Sequence, residues 1–263
     1  MGMHRVFFGF EVRAPWEDEV LQGRKIEERY RHVTLAFLGN LSREKIEELL
    51  KQIPKPEMPL GPCAILDHTL LLPESHPRVM ALHMEFLDER VLKFQKVLMQ
   101  SLHRLDLGSD QAVWLPHVSL CRKPFSYELW QAHFVRLPCY LGSFHLYESV
   151  GELCYKPLWS YDVPPPFEEI EHRADIAYCV HGKDLQELYV HASMALAFQD
   201  PHFLTAWPCR PVLFSLEELV MALNEQIAKI DHLRGCPFKA VSFHGEVEAC
   251  RQNLLKWDMI VDV

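Results

Sequence analysis

The chain has 263 residues, of which 49% are hydrophobic and 24% are charged, and its formal net charge is −9. This composition supplies enough apolar side chains for one or two folded domains and excludes disorder as the main state. No stretch approaches the roughly 20 apolar residues of a membrane-spanning helix. The N-terminal residues lack a basic region followed by an apolar signal segment. We therefore expect a cytoplasmic protein with no membrane partner.

Acidic side chains are concentrated in the C-terminal part of the chain. Residues 1–166 carry a formal charge of −2, whereas residues 167–263 carry −7. Long nucleic-acid duplexes are bound by strongly basic surfaces that release counterions, so we expect neither part to bind one. The eight cysteines include no Cys-x-x-Cys pair. Without a signal segment, this pattern predicts free thiols rather than disulfides or a structural zinc site.

The first predicted elements alternate between strands and helices. Alternating apolar residues predict strands over residues 5–12 and 79–86. Between these strands, Ser42 is a candidate N-cap for a helix whose apolar stripe ends at Pro54. From residue 87 onward the apolar positions step by three and four, which predicts a helix closed by Gly108.

Three consecutive prolines at 164–166 predict a linker, because proline can neither continue a helix nor donate to a sheet ladder. We therefore place domain boundaries at 1–163 and 167–263. Both domains mix helices and strands and are predicted to be α+β.

The second predicted domain has its own strands and helices. Strands are predicted over residues 176–180, 240–248 and 257–263. Asp184 and Ser215 are each followed three positions later by a glutamate, which is the signature of a capping box at a helix start. The helix after Asp184 is predicted to bury one apolar face.

Two tetrapeptides of the form His-apolar-hydroxyl-apolar, HVTL and HVSL, begin at His32 and His117. Each is flanked by apolar residues and predicts a strand. Period-two alternation places His32 with Thr34, and His117 with Ser119, on one face of each strand. If the strands share a groove, a neutral imidazole can accept a proton while a charged one donates a proton. The hydroxyls can hold phosphate oxygens, and this chemistry requires no metal.

The alternation pattern gives Arg122 and the neighbouring histidines no clear place in this site. Strict alternation places Arg122 on the face opposite His117, although a strand ending near residue 121 would let its guanidinium turn towards a phosphate. His83 and His145 lie in apolar strands and are predicted to be packed. His68 and His76 flank a proline-containing loop and show no metal-ligand spacing.

Residues 4–162 resemble the two-histidine (2H) phosphoesterase family, in its RNA 2′,3′-cyclic phosphodiesterase branch, formerly described as 2′-5′ RNA ligases. The matching segments are RVFF at 5–8, HVTLAFLG at 32–39, LP at 72–73, RV at 78–79, PHVSLCR at 116–122 and FHLYES at 144–149. The resemblance implies a bilobal, duplicated α+β fold with the two motifs across a central groove. It implies that His32 and His117 are catalytic, and that Thr34, Ser119 and Arg122 bind the substrate. The implied reaction is metal-independent hydrolysis of RNA 2′,3′-cyclic phosphate ends to 2′-phosphomonoesters.

Carboxylates stand near strand ends in the second predicted domain. Asp175 precedes a predicted strand, Asp262 lies near the end of another, and Lys239 begins a third. Such oxygen ligands suit calcium, magnesium or manganese.

Residues 167–263 resemble archease, a small protein that assists the RNA-splicing ligase that joins cyclic-phosphate ends. The matching segments are EHRADI at 171–176, GKDLQEL at 182–188, SLEEL at 215–219, LNE at 223–225, KAVSFHG at 239–245 and IVDV at 260–263. The resemblance implies a divalent cation at Asp175, Asp262 and Val263, a functional Lys239, and an RNA-splicing ligase as partner. The segment between Ile230 and Lys239 is shorter than is usual in archease, so this is a shortened archease-like domain.

The two resemblances together predict an enzyme acting on RNA ends that bear a 2′,3′-cyclic phosphate, in RNA repair or tRNA processing. A second hypothesis is a non-catalytic accessory protein that tethers RNA ends for an RNA-splicing ligase. A third is a ligase that forms 2′-5′ linkages by the reverse reaction, which is less favoured because hydrolysis dominates in water. The sequence leaves open the natural RNA, the oligomeric state and which histidine is the base.

Overall fold

The structure is a computed structural model that describes residues 2–18, 21–107, 113–173, 175–206, 211–242, 245–250 and 253–263. It contains two compact units. The first comprises residues 1–135 and 140–164, and the second comprises residues 136–139 and 165–263. The change of unit between residues 164 and 165 lies inside the proline segment.

An eight-stranded sheet dominates the first unit. Its strands are β1 (Met3–Arg13), β2 (Arg24–Lys25), β3 (His32–Ser42), β4 (Cys63–Leu72), β5 (Val79–Phe86), β6 (His117–Arg122), β7 (Leu137–Gly151) and β8 (Cys154–Tyr161). Their order is β1-β3-β6-β5-β4-β7-β8, with β2 paired to β6 and β1 also paired to β7. Because β1 pairs with both β3 and β7, the sheet closes on itself. The two histidine strands, β3 and β6, are direct neighbours.

Among the described residues, three α-helices accompany this sheet: α1 (Arg43–Leu50), α2 (Arg90–Arg104) and α3 (Tyr127–Ala132). Helix α2 buries the predicted apolar stripe, Val91, Phe94, Leu98 and Leu102. The Phe94 ring centroid lies 5.1 Å from that of Phe144 in β7 and 6.0 Å from that of Phe10 in β1. Burial of each large apolar side chain contributes roughly 1.5–3 kcal/mol. One face of the sheet is thereby committed to the core.

Local sequence signals place several boundaries of the first unit correctly, although α1 ends at Leu50 rather than at Pro54. The strand predicted over residues 79–86 is β5, and the strand predicted over 5–12 extends to Met3–Arg13 as β1. The Ser42 side chain accepts a hydrogen bond from the Lys45 backbone N–H, as expected of an N-cap. Helix α2 begins at Arg90 rather than at residue 87. The predicted closure at Gly108 lies outside the described residues.

The second unit is a five-stranded sheet with two helices. The strands are β9 (Phe167–Ile170), β10 (Ile176–Gly182), β11 (Ala240–Val241), β12 (Glu248–Ala249) and β13 (Leu255–Asp262), and the helices are α4 (Leu185–Gln199) and α5 (Leu216–Arg234). The order is β11-β13-β10-β9, with β12 also paired to β13. Both units contain α-helices as well as β-strands.

The N-cap side chains predicted for α4 and α5 are present. The Asp184 carboxylate accepts from the Glu187 N–H at 2.8 Å, and the Glu187 carboxylate accepts from the Lys183 N–H at 2.8 Å. In α5, the Ser215 hydroxyl accepts from the Glu218 N–H at 3.2 Å. Each N-cap side chain satisfies one backbone donor that the first turn of a helix leaves unpaired.

Two predictions for the second unit were wrong. The strand predicted over residues 240–248 is two short strands that pair with different ends of β13, with Ala240 opposite Asp262 and Glu248 opposite Lys256. A strand that leaves and rejoins its neighbour cannot be recognised from alternation alone. Helix α4 is buried around most of its circumference rather than on one face, because it packs against β10, β13 and α5.

The described cysteines form no disulfide with one another, in agreement with the prediction. Burial is the main cause that raises the pKa of Cys121 and of Cys179 to about 11, so these thiols stay protonated at neutral pH and unreactive. No helix in the described part of the chain is long and apolar enough to cross a membrane.

Candidate active site

The two histidine motifs lie side by side on strands β3 and β6. The strands pair antiparallel, with Val33 opposite Val118. Val33 and Val118 are fully buried, whereas His32 and His117 are only partly buried. The predicted alternation is thus present in both strands. Pairing in the closed sheet, rather than any feature of either tetrapeptide, brings the two imidazoles to one surface, which we call the histidine face.

Each imidazole is held by the same local hydrogen bond. His32 Nδ1 lies 2.7 Å from the carbonyl oxygen of Tyr30, and His117 Nδ1 lies 2.8 Å from that of Leu115. A carbonyl can only accept, so Nδ1 carries the proton and donates it in both rings. In the neutral form, Nε2 of each ring is then a proton acceptor. The two rings are therefore prepared in the same tautomer.

The environment of both rings favours the neutral imidazole. Burial, together with the charges of His117 and His145, lowers the pKa of His32 to about 4, although the hydrogen bond to Tyr30 opposes this effect. Burial also lowers the pKa of His117, and the nearby His83 acts in the same direction. Without an anion at the site, both rings are therefore neutral at pH 7.

A ring of aromatic side chains encloses His32. Its ring centroid lies 4.7 Å from Phe7, 5.2 Å from Tyr147 and 4.7 Å from Tyr155. Burial also raises the pKa of the Tyr147 hydroxyl, so this residue stays neutral. These contacts restrict the ring and remove water from one side of it, which explains the large effect of burial on its pKa.

The hydroxyl residues occupy the places that alternation predicts. Thr34 lies opposite Gly9 of β1, and Ser119 lies opposite Ala81 of β5. A Cβ at Gly9 would come within 2.7 Å of the Val33 carbonyl oxygen, so only glycine permits this close approach. The Trp114 indole N–H donates to the Thr34 carbonyl oxygen at 2.9 Å. The neighbours directly opposite the two hydroxyl residues are thus the small residues Gly9 and Ala81.

Arg122 lies on the histidine face, in contrast to the expectation from strict alternation. Strand β5 pairs Ala81 with Ser119 but Met80 with Cys121, so β6 contains one extra residue, Leu120. A one-residue bulge reverses the alternation beyond it. Val79, on the same face of β5 as Ala81, is consequently opposite Arg122. The bulge thus returns the exposed guanidinium to the side of His117 and Ser119.

Arg24 is a candidate site residue that sequence reasoning did not identify. The short strand β2 places Arg24 directly opposite Arg122, and both are exposed. Like charges that face each other across strands are destabilising, so this pair is best satisfied by an anion. No local signal marks Arg24, because its role arises from the pairing of β2 with β6.

Three histidines that the sequence analysis did not place in the site also lie on or near the histidine face. His83 is directly opposite His117 in the β5–β6 pair, and His145 lies opposite Gly9 in the β1–β7 pair. Both are partly buried rather than packed in the core. His145 Nδ1 lies 2.8 Å from the Ser160 hydroxyl oxygen. His68 belongs to strand β4, before the proline-containing loop.

In the second unit, the structure gathers the residues predicted from the archease resemblance at one end of the sheet. Strands β10 and β13 pair with Ile176 opposite Val261. Asp175 and Asp262, the next residues in this register, therefore lie at the same end of the sheet. The Ser242 hydroxyl donates to the Asp262 carboxylate at 3.2 Å. Lys239 Nζ donates to the backbone oxygen of Val263 at 2.5 Å. Both carboxylates are partly buried.

The fold and the site define an α+β protein in which a self-closing sheet carries two His-x-Ser/Thr strands side by side. Among solved structures, the chain is similar to E. coli LigT in its apo form, with 24% identity and a TM-score of 0.48 over 62% of this chain and 99% of that chain. It is also similar to a phosphoesterase, with 21% identity and a TM-score of 0.47 over 62% and 99% of the two chains. The protein TT0787 of Thermus thermophilus has 19% identity and a TM-score of 0.46, over 61% and 98%. No protein-family model and no curated protein matches the sequence.

Proposed function

We propose that the first unit hydrolyses RNA ends bearing a 2′,3′-cyclic phosphate to 2′-phosphomonoesters without a metal ion. The observation that carries this proposal is the matched pair of imidazoles. His32 and His117 stand on adjacent strands, and each donates Nδ1–H to the carbonyl oxygen two residues before it. Two such rings can serve as general base and general acid on either side of one phosphate.

The reaction needs one proton accepted and one donated. Nε2 of the neutral imidazole accepts a proton from water as the water oxygen bonds to phosphorus. The bond between phosphorus and O3′ breaks, and the imidazolium donates its proton to O3′. The products are a 3′-hydroxyl and a 2′-phosphomonoester. Because burial disfavours the charged form of both rings, the anionic substrate itself would favour protonation of one of them.

The other polar residues of the face suit an anionic phosphate group. The Thr34 and Ser119 hydroxyls can donate to the non-bridging oxygens. Arg122 and Arg24, opposite each other on β6 and β2, offer two planar guanidinium groups to the same phosphate or to the next one along the RNA. This contact with RNA is small and local. It therefore does not require a strongly basic surface, and residues 1–166 carry a formal charge of −2.

A hydrolysis assay in excess chelator tests this function. The purified chain is incubated with an RNA oligonucleotide ending in a 2′,3′-cyclic phosphate, and the position of the product phosphate is determined. Chelator-resistant formation of the 2′-phosphate is expected. Binding of the oligonucleotide with no turnover would support the accessory role instead, and a 2′-5′ linkage formed with an added 5′-hydroxyl RNA would support ligation.

Arg122→Lys and Arg24→Lys are expected to lower kcat/KM roughly 10- to 100-fold each, because lysine keeps the charge but loses the planar, two-pronged hydrogen bonding worth about 1.5–3 kcal/mol. Steady-state kinetics on the cyclic-phosphate substrate measure the change. The exposed Arg104→Lys on α2 is the matched control. A fall in melting temperature with unchanged kinetics would show that the arginines are structural.

For the second unit we propose a divalent cation held by Asp175, Asp262 and Val263, beside Lys239, and an RNA-splicing ligase as its partner. Two partly buried carboxylates at the ends of adjacent strands, with the Ser242 hydroxyl beside one of them, supply the oxygen ligands that calcium prefers. A ligase that joins cyclic-phosphate ends and a hydrolase that opens them would act on the same RNA ends.

Millimolar calcium is expected to raise the melting temperature of the full chain, because a ligand that binds only the folded state stabilises it by roughly 2.7 kcal/mol at a hundred times its Kd. Differential scanning fluorimetry measures the shift, which Asp175→Ala and Asp262→Ala should abolish. Glu171→Ala, an exposed acidic residue nearby, is the control. An unchanged shift in both aspartate variants would contradict the site.

A further inference from the structure

A β-bulge in strand β4 gathers three potential ligands outside the proposed catalytic pair. Strand β5 pairs Met84 with Leu66 and Leu82 with Thr69. Two residues of β4, Asp67 and His68, therefore face the single residue His83 of β5. Such a bulge redirects side chains that regular alternation would send to opposite faces. The insertion thus brings an acidic residue and two histidines together.

The donor atoms of these three side chains converge. Asp67 Oδ1 lies 2.7 Å from His83 Nδ1 and 3.0 Å from His68 Nδ1. The two imidazole rings stack with centroids 4.6 Å apart, and one ligand atom from each residue lies within 4.8 Å of the others. Two ligands that are each about 2.0–2.1 Å from one metal lie about 3 Å apart in adjacent coordination positions. The spacing therefore matches that of ligands around a single ion.

We propose that Asp67, His68 and His83 form a binding site for a divalent transition-metal ion of the zinc, cobalt or nickel class. Imidazole nitrogen combined with one carboxylate selects such borderline ions over calcium or magnesium, which prefer oxygen ligands. The Asp67 and His83 side chains are each 24% exposed and His68 is 53% exposed. This exposure gives an ion access from solvent and leaves coordination positions for water or a ligand.

The site is distinct from the proposed phosphoesterase machinery. His83 is directly opposite His117, so a bound ion would lie beside the catalytic pair but would take no ligand from it. The hydrolysis proposed above requires no ion here. Metal binding and chelator-resistant hydrolysis can therefore succeed or fail independently.

Cobalt(II) is the probe, because its visible absorption reports its ligands. The full chain carrying Asp262→Ala, which removes the proposed calcium site, is freed of metal and titrated with Co²⁺ while absorption and heat are recorded. One equivalent is expected to bind, with a visible band of mixed nitrogen and oxygen ligation. Excess calcium should not displace it.

Variants of the three ligands decide the assignment. Removing a residue that only hydrogen-bonds to a metal ligand weakens metal affinity by about 10- to 100-fold. Removing a ligand itself should cost at least as much, so Asp67→Asn, His68→Ala and His83→Ala should each weaken Co²⁺ binding by roughly 100-fold or more. His76→Ala, an exposed histidine between β4 and β5, is the control and should bind normally. Circular dichroism of the metal-free variants checks that each is folded, and His68→Ala, at the most exposed of the three positions, is the variant least prone to misfold. Unchanged affinity in folded ligand variants, or no binding below millimolar Co²⁺, would overturn the site and leave a plain hydrogen-bonded cluster.

Discussion

His32→Ala and His117→Ala are each expected to reduce hydrolysis of a 2′,3′-cyclic phosphate by on the order of 100- to 10,000-fold, the range for loss of a general acid or base. The two losses should be similar, because both rings are held by the same Nδ1 hydrogen bond to the carbonyl two residues earlier. Steady-state kinetics on the cyclic-phosphate oligonucleotide measure the effect.

The control for these variants is His103→Ala, which removes an exposed imidazole from α2 and should retain full activity. The wild-type pH profile should be bell-shaped, because one ring must be neutral while the other is charged. In His32→Ala or His117→Ala, one limb of the bell should disappear along with most of the rate. Full activity in either alanine variant would remove the assignment of both histidines.

The second large effect concerns stability and pH. Burial, with the charges of His117 and His145, lowers the pKa of His32 from 6.5 to about 4 in the folded protein. Between these values the unfolded chain binds a proton that the folded chain resists, so the free energy of unfolding decreases as the pH falls. This loss of stability is small above pH 6.5. It reaches about 2 kcal/mol at pH 5 and about 3 kcal/mol at pH 4.

Chemical denaturation at pH 7 and at pH 5 measures the effect. His32→Gln keeps a polar side chain but cannot titrate, so its unfolding free energy should fall less between the two pH values than that of the wild type. The comparison uses the change in unfolding free energy between pH 7 and pH 5. Packing energy that His32→Gln loses at both pH values cancels in this change. His103→Gln should behave as the wild type does. Equal pH dependence in wild type and His32→Gln would show that folding does not lower the pKa of His32.

Features that depend on neighbours along the chain were predictable from sequence. Ser42, Asp184 and Ser215 begin helices because their side chains accept from a backbone N–H three residues on. The His-x-hydroxyl pattern at His32 and His117 predicts the exposed and buried faces of β3 and β6 because a strand has a period of two. Each of these signals depends only on residues a few positions apart, so it can be recognised without knowing which strand pairs with which.

Tertiary structure alone decided where the candidate site's other members lie. The extra residue Leu120 returns Arg122 to the histidine face, and the bulge at Asp67 and His68 sets both against His83. Arg24 joins Arg122 because β2 pairs with β6. A bulge exists only relative to the strand beside it, and the register of that strand is set by packing across the whole sheet. The tetrapeptides themselves determined which residues could do the chemistry, whereas closure of the sheet determined which of them meet.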